Sequence, residues 1–247
     1  MVRGVLQCLL VAAVVLAPAS SARARPPTVA GLEAVYDFYL GGIWAGKLTV
    51  GAAFGAESYY ASSALRTTGI VGFFYDLAFE AEVEGRINAD GLSPEYYSSS
   101  SRDPKRQEFV EIAFVDGTPA SSRVVPARRV RPWSIDPRDQ GGAVDPLSAL
   151  LAAFAPAPAN AVCEQRVDVY DGRRRFALEV GLRQHEGIGI RCDAMYVRLA
   201  GFKPKWMGKR ARRPFTLFLE KRADGLFEIV RAVIDTSFGP AILRLRK

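Results

Sequence analysis

Through most of this chain apolar residues recur at every second position in short runs, and turn-forming residues separate the runs. Few folds accept that pattern. The cleanest run is Phe79 to Ala89: Ala81, Val83 and Ile87 point one way, and Glu80, Glu82, Glu84 and Arg86 the other. Period-two alternation marks a half-buried strand. Gly41-Gly42, Asp90-Gly91, Asp116-Gly117, Asp171-Gly172 and Asp224-Gly225 sit between runs. Such dipeptides supply the positive φ angles of tight hairpin turns.

On this basis strands are expected at Glu33–Leu40, Ile43–Phe54, Ser58–Thr68, Phe79–Ala89, Leu92–Arg102, Lys105–Asp116 and Ser121–Ala127. More follow around Val167–Tyr170, Phe176–Leu182, Ile188–Leu199, Phe215–Lys221, Phe227–Thr236 and Ala241–Arg246. Gly69–Leu77, dense in aromatics, reads as a short helix or a buried loop. No βαβ spacing and no internal repeat is visible. About twelve strands must curl, split into two sheets or close. The expected fold is all-β and mainly antiparallel: one strongly curved sheet, a half-open barrel, with one packed helix.

That helix is Asp145–Phe154, on the concave side of the sheet. Asp145 suits the N-cap and Pro146 the first helical position. Leu147, Leu150, Leu151 and Phe154 fall at helical spacing, and Pro156 and Pro158 end the run.

Residues 1–24 read as a secretory signal: Arg3, then the apolar run Val5–Ala17, then the small-x-small site Ala22-Arg23-Ala24. The apolar run is shorter than the ~20 residues of a membrane span. Residues 25–247 then form a single β domain, expected in the periplasm. Losing two arginines lowers the formal charge from +7 to +5. That charge suits an anionic surface without naming one.

Cys8 leaves with the signal, so Cys163 and Cys192 remain in an oxidising space and are expected to pair. The simplest register opposes this. A two-residue turn at Asp171-Gly172 puts Cys163 opposite Val180, and a turn at Glu186-Gly187 puts Cys192 opposite Gly181. Flanking one strand, the cysteines would stand roughly 10 Å apart, whereas a disulfide needs Cα atoms within about 7 Å. Either Cys163 lies in the incoming loop and folds back, or one turn is longer than drawn.

Five segments carry a resemblance: YDFYLGGIWAGKL (Tyr36–Leu48), DPLSALLA (Asp145–Ala152), YDGRRRF (Tyr170–Phe176), RLAGF (Arg198–Phe202) and DTSFGPAILRL (Asp235–Leu245). In this order they resemble a family of exported bacterial proteins catalogued as domain of unknown function 3108. The resemblance implies an envelope protein with no assigned activity.

Catalytic signatures are missing from the sequence: there is no GxSxG elbow, no HExxH and no phosphate-cradling glycine loop. His185, the sole histidine, reads as an exposed residue beside a turn. Asp136, Asp139 and Asp145 lack the ligand spacing of a calcium loop. The glutamates of Phe79–Ala89 read as a solvated face. No cofactor, no metal and no nucleic-acid partner is expected.

Two cationic clusters remain. In the DGRRR run, Arg173 and Arg175 are expected on one strand face and Arg174 on the apolar face of Phe176 and Leu178. There Arg174 either pairs internally, with Asp168 or Glu179, or marks the mouth of a ligand cavity for a carboxylate or phosphate. In Gly201–Arg213, Lys203, Lys205, Lys209, Arg210, Arg212 and Arg213 surround Trp206 and Met207 with no acid between them. Cations around a Trp suit an anionic membrane surface. A solvated loop with Trp206 packed inward is the plainer alternative.

These features lead to a non-enzymatic periplasmic protein whose curved sheet holds an apolar or lipid-like ligand. The alternative is an envelope assembly factor that binds a protein partner through its sheet edges and basic loop, with no cavity.

Overall fold

The computed structural model describes residues 30–247 except 75, 90 and 188; the signal expected at 1–24 lies outside them. Thirteen strands form one sheet. They are β1 (Ala30–Leu40), β2 (Ile43–Phe54), β3 (Ser58–Thr67), β4 (Ala78–Asn88), β5 (Gly91–Asp103), β6 (Arg106–Val115), β7 (Thr118–Val125), β8 (Gln165–Tyr170), β9 (Arg175–Glu186), β10 (Gly189–Ala200), β11 (Arg212–Lys221), β12 (Phe227–Thr236) and β13 (Gly239–Leu245). Two helices interrupt them, α1 (Gly69–Phe74) and α2 (Pro146–Phe154). The strand order is β7-β6-β5-β4-β3-β2-β1-β13-β12-β11-β10-β9-β8. Every pairing is antiparallel, and β1 joins the two meanders by pairing with β13, Tyr36 opposite Leu245. The sheet curls into a nearly closed barrel.

This up-and-down order gives the barrel two distinct ends. The β1–β2, β3–β4, β5–β6, β8–β9, β10–β11 and β12–β13 connections share one end with residues 126–135, which follow β7. We call this the near end. The remaining turns lie at the far end.

The chain crosses from β7 to β8 through residues 126–164, and this crossing carries α2 into the barrel. Asp145 caps α2, its Oδ1 accepting from the Leu147 and Ser148 amides at 2.9 and 3.0 Å. Leu147 and Leu151 are buried among inward-facing residues such as Val50, Ala61, Val83, Tyr97 and Ile112. Burial of each leucine stabilises the fold by roughly 2 kcal/mol. Phe154 meets Tyr36 edge to face at 5.7 Å. The Tyr59 hydroxyl lies 2.6 Å from Ser148 Oγ. A second cluster, under β9–β12, packs around Cys192, Val180, Leu217 and Ile229.

The seam between β7 and β8 is not closed by a ladder. Val144 of the crossing bridges the free edge of β8: its amide donates to Asp168 O, and the Tyr170 amide donates to its carbonyl. Ser122 of β7 reaches across, its Oγ 3.1 Å from both the Tyr170 hydroxyl and the Gly172 carbonyl. A carbonyl only accepts, so Ser122 donates to Gly172 and accepts from Tyr170.

Cys163 and Cys192 are joined, with Cα atoms 5.9 Å apart. Both escapes from the register conflict operate. The β8–β9 connection has four residues, since Tyr170 pairs with Arg175, so Gln165 and not Cys163 faces Val180. Glu164 adopts φ +68°, which turns the chain back ahead of β8. Cys192 sits opposite Arg183 rather than Gly181, just before a bulge in the β9–β10 ladder. The segment Gly69–Leu77, open between helix and loop, contains α1, and its Ile70 and Phe73 are exposed rather than buried.

Candidate functional site: a cationic cleft at the near end

The lengthened β8–β9 turn shapes the site. Asp171 Oδ1 accepts from the Arg173 and Arg174 amides at 3.0 and 2.8 Å. This side-chain cap converts an Asp-Gly hairpin signal into a four-residue turn. Burial pushes the Asp171 carboxyl above its ordinary range, and the charges of Arg173 and Arg174 oppose that rise. Gly172 (φ +88°) lies against β6: a Cβ there would sit 2.5 Å from Val110 Cγ1. Gly201 (φ +81°) brings the β10–β11 loop onto the turn, where a Cβ would meet Arg173 O at 2.4 Å. Only glycine permits both approaches.

Glu108 anchors the other wall. It lies on the inward face of β6 with Val110, Ile112 and Phe114, and its side chain is 9% exposed. Three guanidiniums converge on it: Arg106 at 2.6 Å, Arg128 at 2.5 Å and Arg173 at 2.7 Å. One carboxylate cannot neutralise three guanidiniums, so the wall stays strongly positive. Burial lowers the Arg173 pKa from its ordinary value, with Asp171 and Glu108 opposing. Arg173 Nε is buried without a hydrogen-bond partner.

The cleft between these walls has a volume of about 900 Å³. Arg106, Arg128, Arg129, Arg131, Arg173, Arg174 and Lys203 contribute seven cations to its lining, with Trp133, Trp206 and Tyr170 beside them. Among the described residues, the lining includes no carboxylate, imidazole or thiol. Guanidinium forks match phosphate or carboxylate oxygens, and the indoles offer flat apolar surface. The chemistry available is recognition of an anion carrying an apolar part.

The two cationic clusters singled out in the sequence meet here in part. Arg173 and Arg174 lie in the turn rather than alternating on a strand, and both line the cleft. The internal pair with Asp168 expected for Arg174 belongs to Arg175, at 2.8 Å, and Glu179 is taken by Arg166 and Arg212. Arg174 instead lies over the Phe202 ring, 5.3 Å from its centroid. Lys203 and Trp206 also line the cleft. Trp206 is half-buried, with Arg198 and Lys203 over its ring at 5.5 and 6.0 Å. Arg210, Arg212 and Arg213 line a neighbouring recess of about 550 Å³ that shares Trp206. Lys205 is exposed in the 3-10 turn Pro204–Trp206, and position 209 falls in the next one, Gly208–Arg210. Sequence reasoning missed Arg128, Arg129, Arg131 and Trp133 as site residues; the signal was the run ARRVRPW.

Other candidates lie apart. His185 is exposed on β9. Asp136 caps a 3-10 turn, where Arg138 holds its pKa down at about 2, and Asp145 is the buried cap of α2. Among the described residues, no three His, Cys, Asp or Glu are placed to hold a metal ion. An apolar cleft of about 270 Å³, lined by residues such as Phe38, Leu65, Phe215 and Leu243, lies toward the near end of the barrel.

A family model described as "Protein of unknown function (DUF3108)" matches residues 35–246. No curated protein matches the chain. Among solved structures, it is similar to a β-barrel-like protein of domain of unknown function DUF1849 from Brucella abortus. That similarity has 12% identity and a TM-score of 0.46, covering 87% of this chain and 95% of that one.

Proposed function

Because the chain belongs to the DUF3108 family, whose function is unknown, we propose its role from its own site: a non-enzymatic envelope protein that binds a phosphate- or carboxylate-bearing, lipid-like ligand in the near-end cleft. The supporting observation is the cleft lining, seven cations and two indoles with no acid among them. Three arginines are gathered on Glu108 at one wall of the cleft. The headgroup takes the guanidiniums, and the apolar part lies against Trp133 and Trp206. Export through residues 1–24 would place the protein in the periplasm beside such ligands.

Binding through strand addition at a sheet edge, the route of an assembly factor, has less support. The β8 edge is taken by Val144, and the 3-10 turn Pro137–Asp139 packs against β7.

The test is calorimetric titration of the mature protein with a short-chain phosphatidylglycerol below its micelle concentration. Binding should weaken with salt and fall at least about tenfold in an Arg128→Gln, Arg129→Gln, Arg131→Gln variant, since each charge-assisted bond is worth roughly 1.5–3 kcal/mol. Equal binding by that variant would remove the cleft from the account. N-terminal sequencing of periplasmic material should begin near Arg25; retention of Met1 would remove export.

A further inference from the structure

The barrel is polar along its axis. Seven segments form the near end: 41–42, 68–77, 103–106, 126–135, 171–174, 201–211 and 237–238. They hold eleven Lys and Arg against three acids. Among the described residues, the far-end segments 55–57, 89, 116–117, 155–164, 187 and 222–226 hold one cation, Arg222, against four acids, and Arg246 and Lys247 follow β13 toward this end.

Among the described residues, seven of the eight exposed large apolar side chains lie at the near end, and Val115, 60% exposed, lies at the far end. Ile70, Phe73 and Phe238 are 70%, 85% and 77% exposed, and Ile43 and Val130 join them at 54% and 81%. All five lie at the near end, and four come from three neighbouring connections. Ile43 follows the β1–β2 turn, whose Gly41 amide donates to Pro240 O next to Phe238. α1 packs on β2, with Gly69 beside the Trp44 ring. The apolar cleft of about 270 Å³ lies toward this same end.

We infer that the near end is a docking surface for an anionic lipid bilayer, with Ile43, Ile70, Phe73 and Phe238 entering the headgroup–acyl boundary and the cations of the adjoining loops meeting lipid phosphates. Large apolar side chains on turn tips, flanked by cationic loops, are the arrangement an anionic membrane–water boundary favours. Charge selects the bilayer over a second copy docked by the same face, since two such ends repel. Docking would set both the cationic and the apolar clefts against the lipid surface. The surface shares seven cations with the ligand cleft of the preceding proposal, but Ile43, Ile70, Phe73 and Phe238 lie outside the cleft lining, so the two can fail separately.

The experiment is co-sedimentation of the mature protein with phosphatidylglycerol vesicles at 0.05 and 0.5 M salt, beside phosphatidylcholine vesicles. Wild type should sediment with the anionic vesicles at low salt and lose most of that binding at high salt. An Ile70→Ser, Phe73→Ser, Phe238→Ser variant should partition at least about tenfold less, while its calorimetric affinity for the short-chain lipid stays unchanged. These positions are exposed, so circular dichroism should show an unaltered fold. Brominated lipids should quench wild-type tryptophan fluorescence more than that of the variant. Equal sedimentation of the two proteins overturns the inference, as does failure of wild type to bind anionic vesicles. Analytical ultracentrifugation without lipid supplies a further arm: a wild-type oligomer that the triple variant abolishes would assign the rim to a second copy and overturn it too. Normal docking with lost short-chain binding would refute only the cleft reading.

Discussion

Glu108 of β6 and Arg173 of the β8–β9 turn meet at 2.7 Å across the seam where the ladder is interrupted. The same carboxylate holds Arg106 and Arg128, so one buried acid both fastens the seam and gathers the cations of the cleft. Stability and anion binding therefore pull on Glu108 in opposite directions.

Glu108→Gln should cost about 2–4 kcal/mol of unfolding free energy, because removing one partner leaves guanidiniums crowded in a half-buried site. It should also tighten anion binding severalfold by freeing three donors. Urea unfolding and lipid titration on the same variant test the pair of effects. A variant that is both less stable and a weaker binder would contradict this role.

Gly172→Ala should destabilise by about 2 kcal/mol. The new Cβ meets Val110 Cγ1 at 2.5 Å, and the residue must hold φ +88°. Chemical denaturation gives the figure. A neutral effect would show that the turn can lift off β6.

Asp145 carries a pH signature. Burial raises its pKa from 3.8 to about 6, against the opposing bonds from Ser148 and Leu147. Between those values the folded protein holds a proton that the unfolded chain has released. Stability from this group is full below pH 3.8 and is lost as pH rises to about 6, on the order of 3 kcal/mol. Asp145→Asn keeps a capping oxygen and should remove this slope. Melting curves from pH 4 to 7 for both proteins check it. Identical slopes would mean that Asp145 is not the group responsible.

The Cys163–Cys192 bond closes a loop with a sequence separation of 29. Its reduction should cost on the order of 3 kcal/mol by releasing the unfolded chain. Thiol labelling of unfolded, unreduced mature protein should find no free cysteine, and urea midpoints with and without reductant measure the cost. Two reactive thiols would remove the bond.

What could be read in advance divides along physical lines. Strands declared themselves because one face is buried, so Ala81 and Val83 had to alternate with Glu80 and Glu82. The helix was legible from Asp145, Pro146 and its leucines. The β8–β9 turn was misjudged because a capping Asp171 and a hairpin Asp-Gly look alike in sequence; only its two amide bonds distinguish them. Four of the seven lining cations, Arg106, Arg128, Arg129 and Arg131, were not legible as site residues in the sequence. They lie far from Arg173 along the chain and meet it only once the sheet curls. One clue was available: Glu108, a charge in register with Val110, Ile112 and Phe114, was a polar residue on an apolar face and had to be paired.

The strand order also bears on how the molecule assembles. Of the twelve strand pairings, eleven join neighbours in sequence, and only β1 with β13 joins remote segments. Loop-closure entropy within the sheet therefore falls on a single step. The two meanders can each zip from local hairpins, and the union of β1 with β13 then converts two ribbons into one wall. Substitutions within the meanders, such as at Val83 or Leu217, should act on the early phase of folding. Those along the Tyr36–Leu245 register should act on the last.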